Sequence, residues 1–424
     1  MHAAGLTLSF KLLLITLSVS LVSSAARAQA DFTHDDIEWR ERVRTTDGRF
    51  GVVRPLEGFE QGWFFRRLGK RALLPTESDL ADLAALEAAL PDDAADGGFV
   101  FELDGARVLQ LRSSDDPPER SVLDPVAVHV FVSGQTQNDA IRLERTWVAT
   151  YEPIALRDRD NVERGIAVVL PGMFGTPENV VDQMVLTLQQ RGWHVLLVLG
   201  QPSRFTERTR FTIEPHADDA AAQLETFAAD VSSRAAEMAY AVEAVAGVML
   251  DERPQLRDLR RVIIGMSGGG LATPATIARE PDAYEAVLLV GTGADTLSMT
   301  VETSYANFID SMRIDFADGQ RRLSTPVALA DAYRKLPALD AYHLAPLMAD
   351  IPTLILHATR DTAVPAHLGD LLWVRLGRPE RWEVPVGHEL LFLAVLPRRM
   401  PELADWLVAT TGQPEVIIPI GDAP

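Results

Sequence analysis

The stretch Arg261-Val262-Ile263-Ile264-Gly265-Met266-Ser267-Gly268-Gly269-Gly270 decides how this 424-residue chain is read. Its first half is a continuous apolar run of the kind found in strands buried on both faces. Its second half is G-x-S-x-G, and residues 271–279 follow with helical composition. A sharp strand-to-helix turn strains the backbone of its central residue and tolerates only small neighbours, which Gly265 and Gly269 supply. Such a turn would present the Ser267 hydroxyl at the end of a sheet, beside a helix N-terminus that favours developing negative charge. Two rival readings of these glycines fail. No Lys follows to complete a phosphate loop, and Gly291-Thr292-Gly293 lacks the third glycine of a dinucleotide loop.

Outward from that turn, further apolar runs at 166–170, 195–199, 286–290 and 353–356 alternate with helical stretches, the longest covering roughly 220–250. This alternation predicts a mostly parallel sheet with helices on both faces. Residues 126–132 and 141–150 are expected to precede it as an antiparallel pair. The segment 296–347 interrupts the alternation and is expected to hang over the strand ends, where ligands bind in such sheets, as a cap or lid. Its Met299, Tyr305, Phe308, Met312 and Phe316 are read first as lid packing and second as pocket lining. Residues 31–125 are more polar and turn-rich, with a capped helix expected over 75–91 and short β segments at 99–103 and 106–111.

A serine hydroxyl is a poor nucleophile at neutral pH and needs a base that is itself oriented by a third group. His388, in Val384-Pro385-Val386-Gly387-His388-Glu389, follows a strand-like stretch and precedes an apolar helical one. Asp361 lies in the turn after a buried strand, in His357-Ala358-Thr359-Arg360-Asp361-Thr362-Ala363-Val364-Pro365, with Asp295 as the main substitute acid. The order Ser, acid, His is the one expected of a serine placed on a strand-to-helix turn. An oxyanion in this geometry needs the N–H after the nucleophile, that of Gly268, and one from an earlier strand-to-helix loop. Pro171-Gly172-Met173-Phe174-Gly175-Thr176-Pro177 is that loop, and either Met173 or Phe174 would donate.

These four pieces, over roughly residues 126–412, resemble the α/β-hydrolase fold superfamily in its esterase, lipase and serine peptidase lines. The resemblance implies an α/β architecture: a mostly parallel, doubly wound sheet with a cap insertion near 296–347 and a small N-terminal accessory segment. It implies Ser267 as nucleophile, Asp361 as acid, His388 as base, and Gly268 with Met173 or Phe174 as oxyanion donors. It also implies hydrolysis of a small-molecule ester or acyl substrate with no metal or organic cofactor. Pro171 stands where many members have His before the glycine, and residues 31–125 carry no such resemblance. A peptidase with the same triad and a non-catalytic binding protein are the rivals. The lack of a blade-like repeat counts against a propeller-gated peptidase, and the presence of all three triad members counts against the binding protein.

Composition bounds the rest. A hydrophobic fraction of 47% and a charged fraction of 24% describe an ordinary folded chain. The formal charge of −20 disfavours nucleic acid and anionic lipid as partners. With no cysteine, disulfides, thiol nucleophiles and thiolate metal sites are excluded. Clusters such as His34-Asp35-Asp36 and His216-Asp218-Asp219 read as solvent-facing turns. Residues 1–30 place Lys11 before an apolar run, 12–22, that is short of a membrane span, and end in two A-x-A sites, after Ala28 and Ala30. The expectation is a cleaved signal peptide at 1–30, an accessory segment at 31–125, the hydrolase-like domain at 126–412 and a tail at 413–424. The mature protein would be periplasmic or secreted, with no membrane span.

Overall fold

Along the strand Gly165–Leu170, every residue is buried and side chains alternate between two apolar layers. Ile166, Val168 and Leu170 join one layer, and Ala167 and Val169 the other. A strand covered on both faces cannot alternate apolar with polar, which is why it reads as one continuous run. The computed structural model describes residues 50–55, 125–137, 140–154, 162–173, 176–199, 204–214, 220–305, 312–319, 322, 324–336, 338–412 and 416–417. The expected signal peptide, the helix of 75–91, the β segments 99–103 and 106–111, and the His34 and His216 clusters lie outside the described residues. All described elements belong to one compact unit, Phe32–Pro424.

The strands are β1 (Phe50–Pro55), β2 (Ala127–Gln137), β3 (Ala140–Tyr151), β4 (Val162–Glu163), β5 (Gly165–Leu170), β6 (Trp193–Val198), β7 (Thr209–Ile213), β8 (Arg260–Met266), β9 (Ala286–Val290), β10 (Met312–Phe316), β11 (Thr353–Ala358), β12 (Glu380–Val384) and β13 (Val416–Ile417). Nine of them form one sheet in the order β1-β2-β3-β6-β5-β8-β9-β11-β12. The first three run antiparallel to their neighbours, and β6 through β12 are parallel. Four helices fix the layers: α1 (Glu178–Gln189), α2 (Ala220–Glu252), α3 (Gly268–Arg279) and, further on, α4 (Thr296–Glu302). A fifth, α5 (Leu396–Thr411), closes the described chain apart from β13. Phe227 and Val242 of α2 and Leu271 of α3 pack on one sheet face, and Met184 of α1 and Leu403 of α5 on the other.

From β5 the chain crosses α1 to β6 on one side, whereas β8 lies on the other side of β5 and leads away through α3 to β9. The carboxyl ends of β5 and β8 are therefore neighbours whose outgoing chains diverge. Such a switch point leaves a crevice in which ligands bind. Leu170 stands opposite Gly265 in this register, so the loop after β5 and the Ser267 turn face each other.

Three features of the periphery add to the sequence reading. β1, from the stretch treated as accessory, pairs with β2 and forms the sheet's edge, Phe50 opposite Gly134 and Pro55 opposite His129. The tail contributes β13, which pairs with β4. The segment 296–347 divides in two. β10 pairs in parallel with β7, making a small separate sheet, while Leu329, Tyr333, Ala341 and Leu344 are buried in the core. Only part of that segment is free to act as a cap.

Candidate active site

Ser267 holds φ 50° and ψ −121°, a left-handed conformation that costs an L-residue about 1–3 kcal/mol. Its amide donates to the carbonyl of Val290 at 2.8 Å, so pairing with β9 continues one residue past the end of β8. The turn is tight enough to need both flanking glycines. A Cβ at Gly269 would lie 2.2 Å from the Leu170 carbonyl oxygen, and one at Gly265 2.2 Å from Thr273 Oγ1. The pattern read from the sequence as a strained turn is that turn.

Ser267 Oγ lies 3.0 Å from His388 Nε2, and His388 Nδ1 lies 2.6 Å from Asp361 Oδ2. The three residues follow the ends of β8, β12 and β11, respectively. Two backbone bonds stitch the acid loop to the histidine loop: Thr359 N–H to Val384 O at 2.9 Å and Arg360 N–H to Val386 O at 3.1 Å. Asp361 Oδ1 accepts from the amides of Ala363 and Val364, each at 2.9 Å, which leaves Oδ2 aimed at the imidazole. His388 and Asp361 are buried, and the imidazole packs against Phe392 with ring centroids 4.8 Å apart. With Nδ1–H donated to a carboxylate, Nε2 is left with a lone pair toward the serine hydroxyl.

Asp295, the substitute acid, has another task. It is fully buried, caps α4 by accepting from the Ser298 amide at 3.0 Å, and pairs with Arg334 at 2.6 Å. Burial and the neighbouring Asp340 raise its carboxyl above the usual range against the pull of the Ser298 amide and Arg334. No histidine other than His388 lines the cavity among the described residues.

The loop after β5 comes so close to the turn that a Cβ on Gly268 would lie 2.8 Å from the Met173 amide nitrogen. The Gly172 N–H is already taken by Thr176 Oγ1 at 3.1 Å. The Met173 backbone thus packs directly against Gly268, the residue after Ser267. Phe174 lies outside the described residues. A cavity of about 220 Å³ opens there, lined by Met173, Ser267 and His388 and walled by Met299, Met312 and Phe392. Both readings hold in part: Met299, Tyr305 and Met312 line the pocket, Met299 and Met312 also pack with the core, Phe316 packs in the core, and Phe308 lies outside the described residues. Among the described residues no group of three or more His, Asp or Glu could hold a metal ion, and no helix is long and apolar enough to cross a membrane.

Residues 241–377 match the prolyl oligopeptidase family, a span that includes the Ser267 turn and Asp361 and stops short of His388. Sheet order, strained serine turn and this match decide the architecture. The chain has the α/β-hydrolase fold. Among solved structures it is similar to the acylaminoacyl peptidase of Pyrococcus horikoshii, at 15% identity and a TM-score of 0.40 over 62% of this chain and 39% of that one. It is similar also to Est1E from Butyrivibrio proteoclasticus, at 14% identity and a TM-score of 0.37 over 63% and 95% of the two chains. The esterase Pf2001 of Pyrococcus furiosus gives 13%, 0.38, and 64% and 88%. The chain thus spans 39% of the length of the first of these. No curated protein matches its sequence.

Within this α/β-hydrolase fold, sequence reasoning missed one pairing at the cavity. Tyr305 Oη–H donates to Glu389 Oε1 at 2.5 Å, and the Tyr305 ring stands edge-on to His388 at 5.9 Å. The tyrosine hydroxyl holds the Glu389 carboxyl below its ordinary range, and burial together with that carboxylate pushes the phenol up. Glu389 sits directly after His388, which was the one available signal, but nothing in the sequence pairs it with a tyrosine 84 positions earlier.

Proposed function

We propose that the chain is an exported serine hydrolase that cleaves small carboxylic esters through an acyl-enzyme. The observation that carries this reading is the continuous hydrogen-bonded line from Ser267 Oγ through the His388 ring to Asp361, at 3.0 and 2.6 Å. Ser267 Oγ attacks the ester carbonyl carbon while His388 Nε2 takes its proton, and Asp361 stabilises the imidazolium. The tetrahedral oxyanion forms between the amides of Gly268 and Met173. His388 then protonates the departing alcohol, and a water molecule, deprotonated by the same nitrogen, releases the acid and restores Ser267. The cavity of about 220 Å³ lies below the roughly 300–1,000 Å³ typical of drug-sized ligands, which favours short acyl groups.

A peptidase with the same three residues is the second reading, favoured by the match of residues 241–377 to the prolyl oligopeptidase family. A fluorophosphonate probe should label the purified protein, and Ser267→Ala should abolish the label; persistence in the variant would defeat the assignment. Turnover of p-nitrophenyl acetate and butyrate without turnover of aminoacyl anilides supports the esterase, and the reverse supports the peptidase. Export to the periplasm or the medium rests on residues 1–30 alone. N-terminal sequencing of the recovered protein should begin at Gln29 or Asp31, and an intact Met1 in the soluble cytoplasmic fraction would refute it.

A further inference from the structure

We infer that Glu389, fixed by Tyr305 beside the catalytic histidine, selects esters that carry an ammonium group close to the scissile bond. The inference rests on the ester-hydrolase reading and names its substrate class. Among the described residues that line the cavity, Glu389 is the single carboxylate, and neither lysine nor arginine is present. The remaining walls are apolar or neutral, so one negative charge sets the electrostatic character of the site.

That carboxylate has no protein cation to balance it. The buried Asp295 and the half-buried Glu280 each meet an arginine, at 2.6 Å in both cases. Among the described residues no arginine or lysine pairs with Glu389, although the chain has 40 of them. The Tyr305 hydroxyl occupies Oε1 and the residue's own backbone N–H also donates to the carboxylate, which together restrict an otherwise exposed side chain at the cavity mouth. A carboxylate ordered before the ligand arrives binds without that ordering cost.

Position gives the charge its meaning. Glu389 is the next residue after His388, whose Nε2 is 3.0 Å from the nucleophile, so a cation held there lies within a small ester's length of the carbonyl. Tyr305 and Phe392 also line the cavity, and an aromatic wall beside a carboxylate suits an alkylammonium group. The chain's net charge of −20 draws cations and repels anions at longer range. If the Tyr305–Glu389 bond only fastened the cap segment to the histidine turn, none of these features would discriminate between substrates.

The test compares kcat/KM of the full chain on 2-(trimethylammonio)ethyl butyrate and on its neutral isostere, 3,3-dimethylbutyl butyrate, at low salt. The cationic ester should be favoured at least about fivefold, as expected for one partly solvated charge pair. The ratio should shrink as salt is added. In Glu389→Gln, whose amide oxygen can still accept from Tyr305, it should fall to about one. A ratio near one in the parent protein, or a ratio retained by Glu389→Gln, overturns the inference while leaving the ester reading intact. Silence on both esters by a protein whose Ser267 still labels defeats the two together.

Discussion

The φ of 50° at Ser267 separates two variants that both lack the nucleophile. In most positions glycine is less stable than alanine because its unfolded chain is freer. At Ser267 alanine keeps the left-handed strain, whereas glycine releases it, so Ser267→Gly should melt at or above Ser267→Ala. Thermal unfolding of the pair checks this, and a clear deficit for glycine would show that the turn is unstrained. Gly269→Ala should be destabilised by several kcal/mol or fail to fold, because its new methyl would lie 2.2 Å from the Leu170 carbonyl oxygen. Asp361→Asn should keep the loop, where Oδ1 serves two amides, yet lower kcat by about 10⁴-fold by favouring the wrong imidazole tautomer. Loss of ester turnover with normal melting would confirm that split, and a loss of under tenfold would remove Asp361 from the mechanism.

Between residue and molecule, one element bears on the pocket from a distance, the arm leading into β7. Arg234, buried on α2, donates to the carbonyls of Phe205 at 3.1 Å and Glu207 at 2.7 Å and to Thr209 Oγ1 at 2.7 Å. Asp230 pairs with both Arg234 and Arg204, at 2.6 and 2.5 Å. Burial alone would raise the Asp230 carboxyl, but the two guanidinium groups outweigh it and hold it below its ordinary range. The clamp fixes the start of β7, β7 pairs with β10, and β10 begins with the pocket-lining Met312. Arg234→Leu leaves two carbonyls and a hydroxyl without their donor and Asp230 with Arg204 as its one remaining guanidinium partner, at a cost of about 3 kcal/mol. It should also raise KM more than it lowers kcat, since the triad is held by other strands. Urea unfolding and steady-state kinetics measure the two effects, and an unchanged KM would detach this arm from the pocket.

At the scale of the whole molecule, stability should weaken in mild acid. Burial lowers the pKa of His129 to about 4, from 6.5 when the chain is unfolded. The unfolded state therefore binds a proton that the folded state refuses between those values, so stability falls as pH drops from about 6.5 toward 4. The loss from pH 7 to pH 5 is about 2 kcal/mol for this residue. Urea midpoints at the two pH values should converge in His129→Leu, and an unaltered gap would place the acid sensitivity elsewhere. The central strands were legible because sheet layers on both sides force continuous apolar runs, and the places of Ser267 and Asp361 because each follows such a run; His388 follows the partly exposed β12 and was located by its turn and by the apolar helical stretch after it. The pairing of β1 with β2 was not, since an edge strand recruited from a distant stretch leaves no local periodicity. Nor was the place of Met312 at the pocket, since it starts β10, whose partner β7 lies about a hundred residues earlier. One consequence follows from the site being spread over β8, β11 and β12. During synthesis the serine turn emerges first, the acid later and the base last, 121 residues behind the serine. Under the proposed triad, a chain halted anywhere before β12 would display a hydroxyl with no proton acceptor, and the nascent protein would stay inert until its final parallel strand had docked.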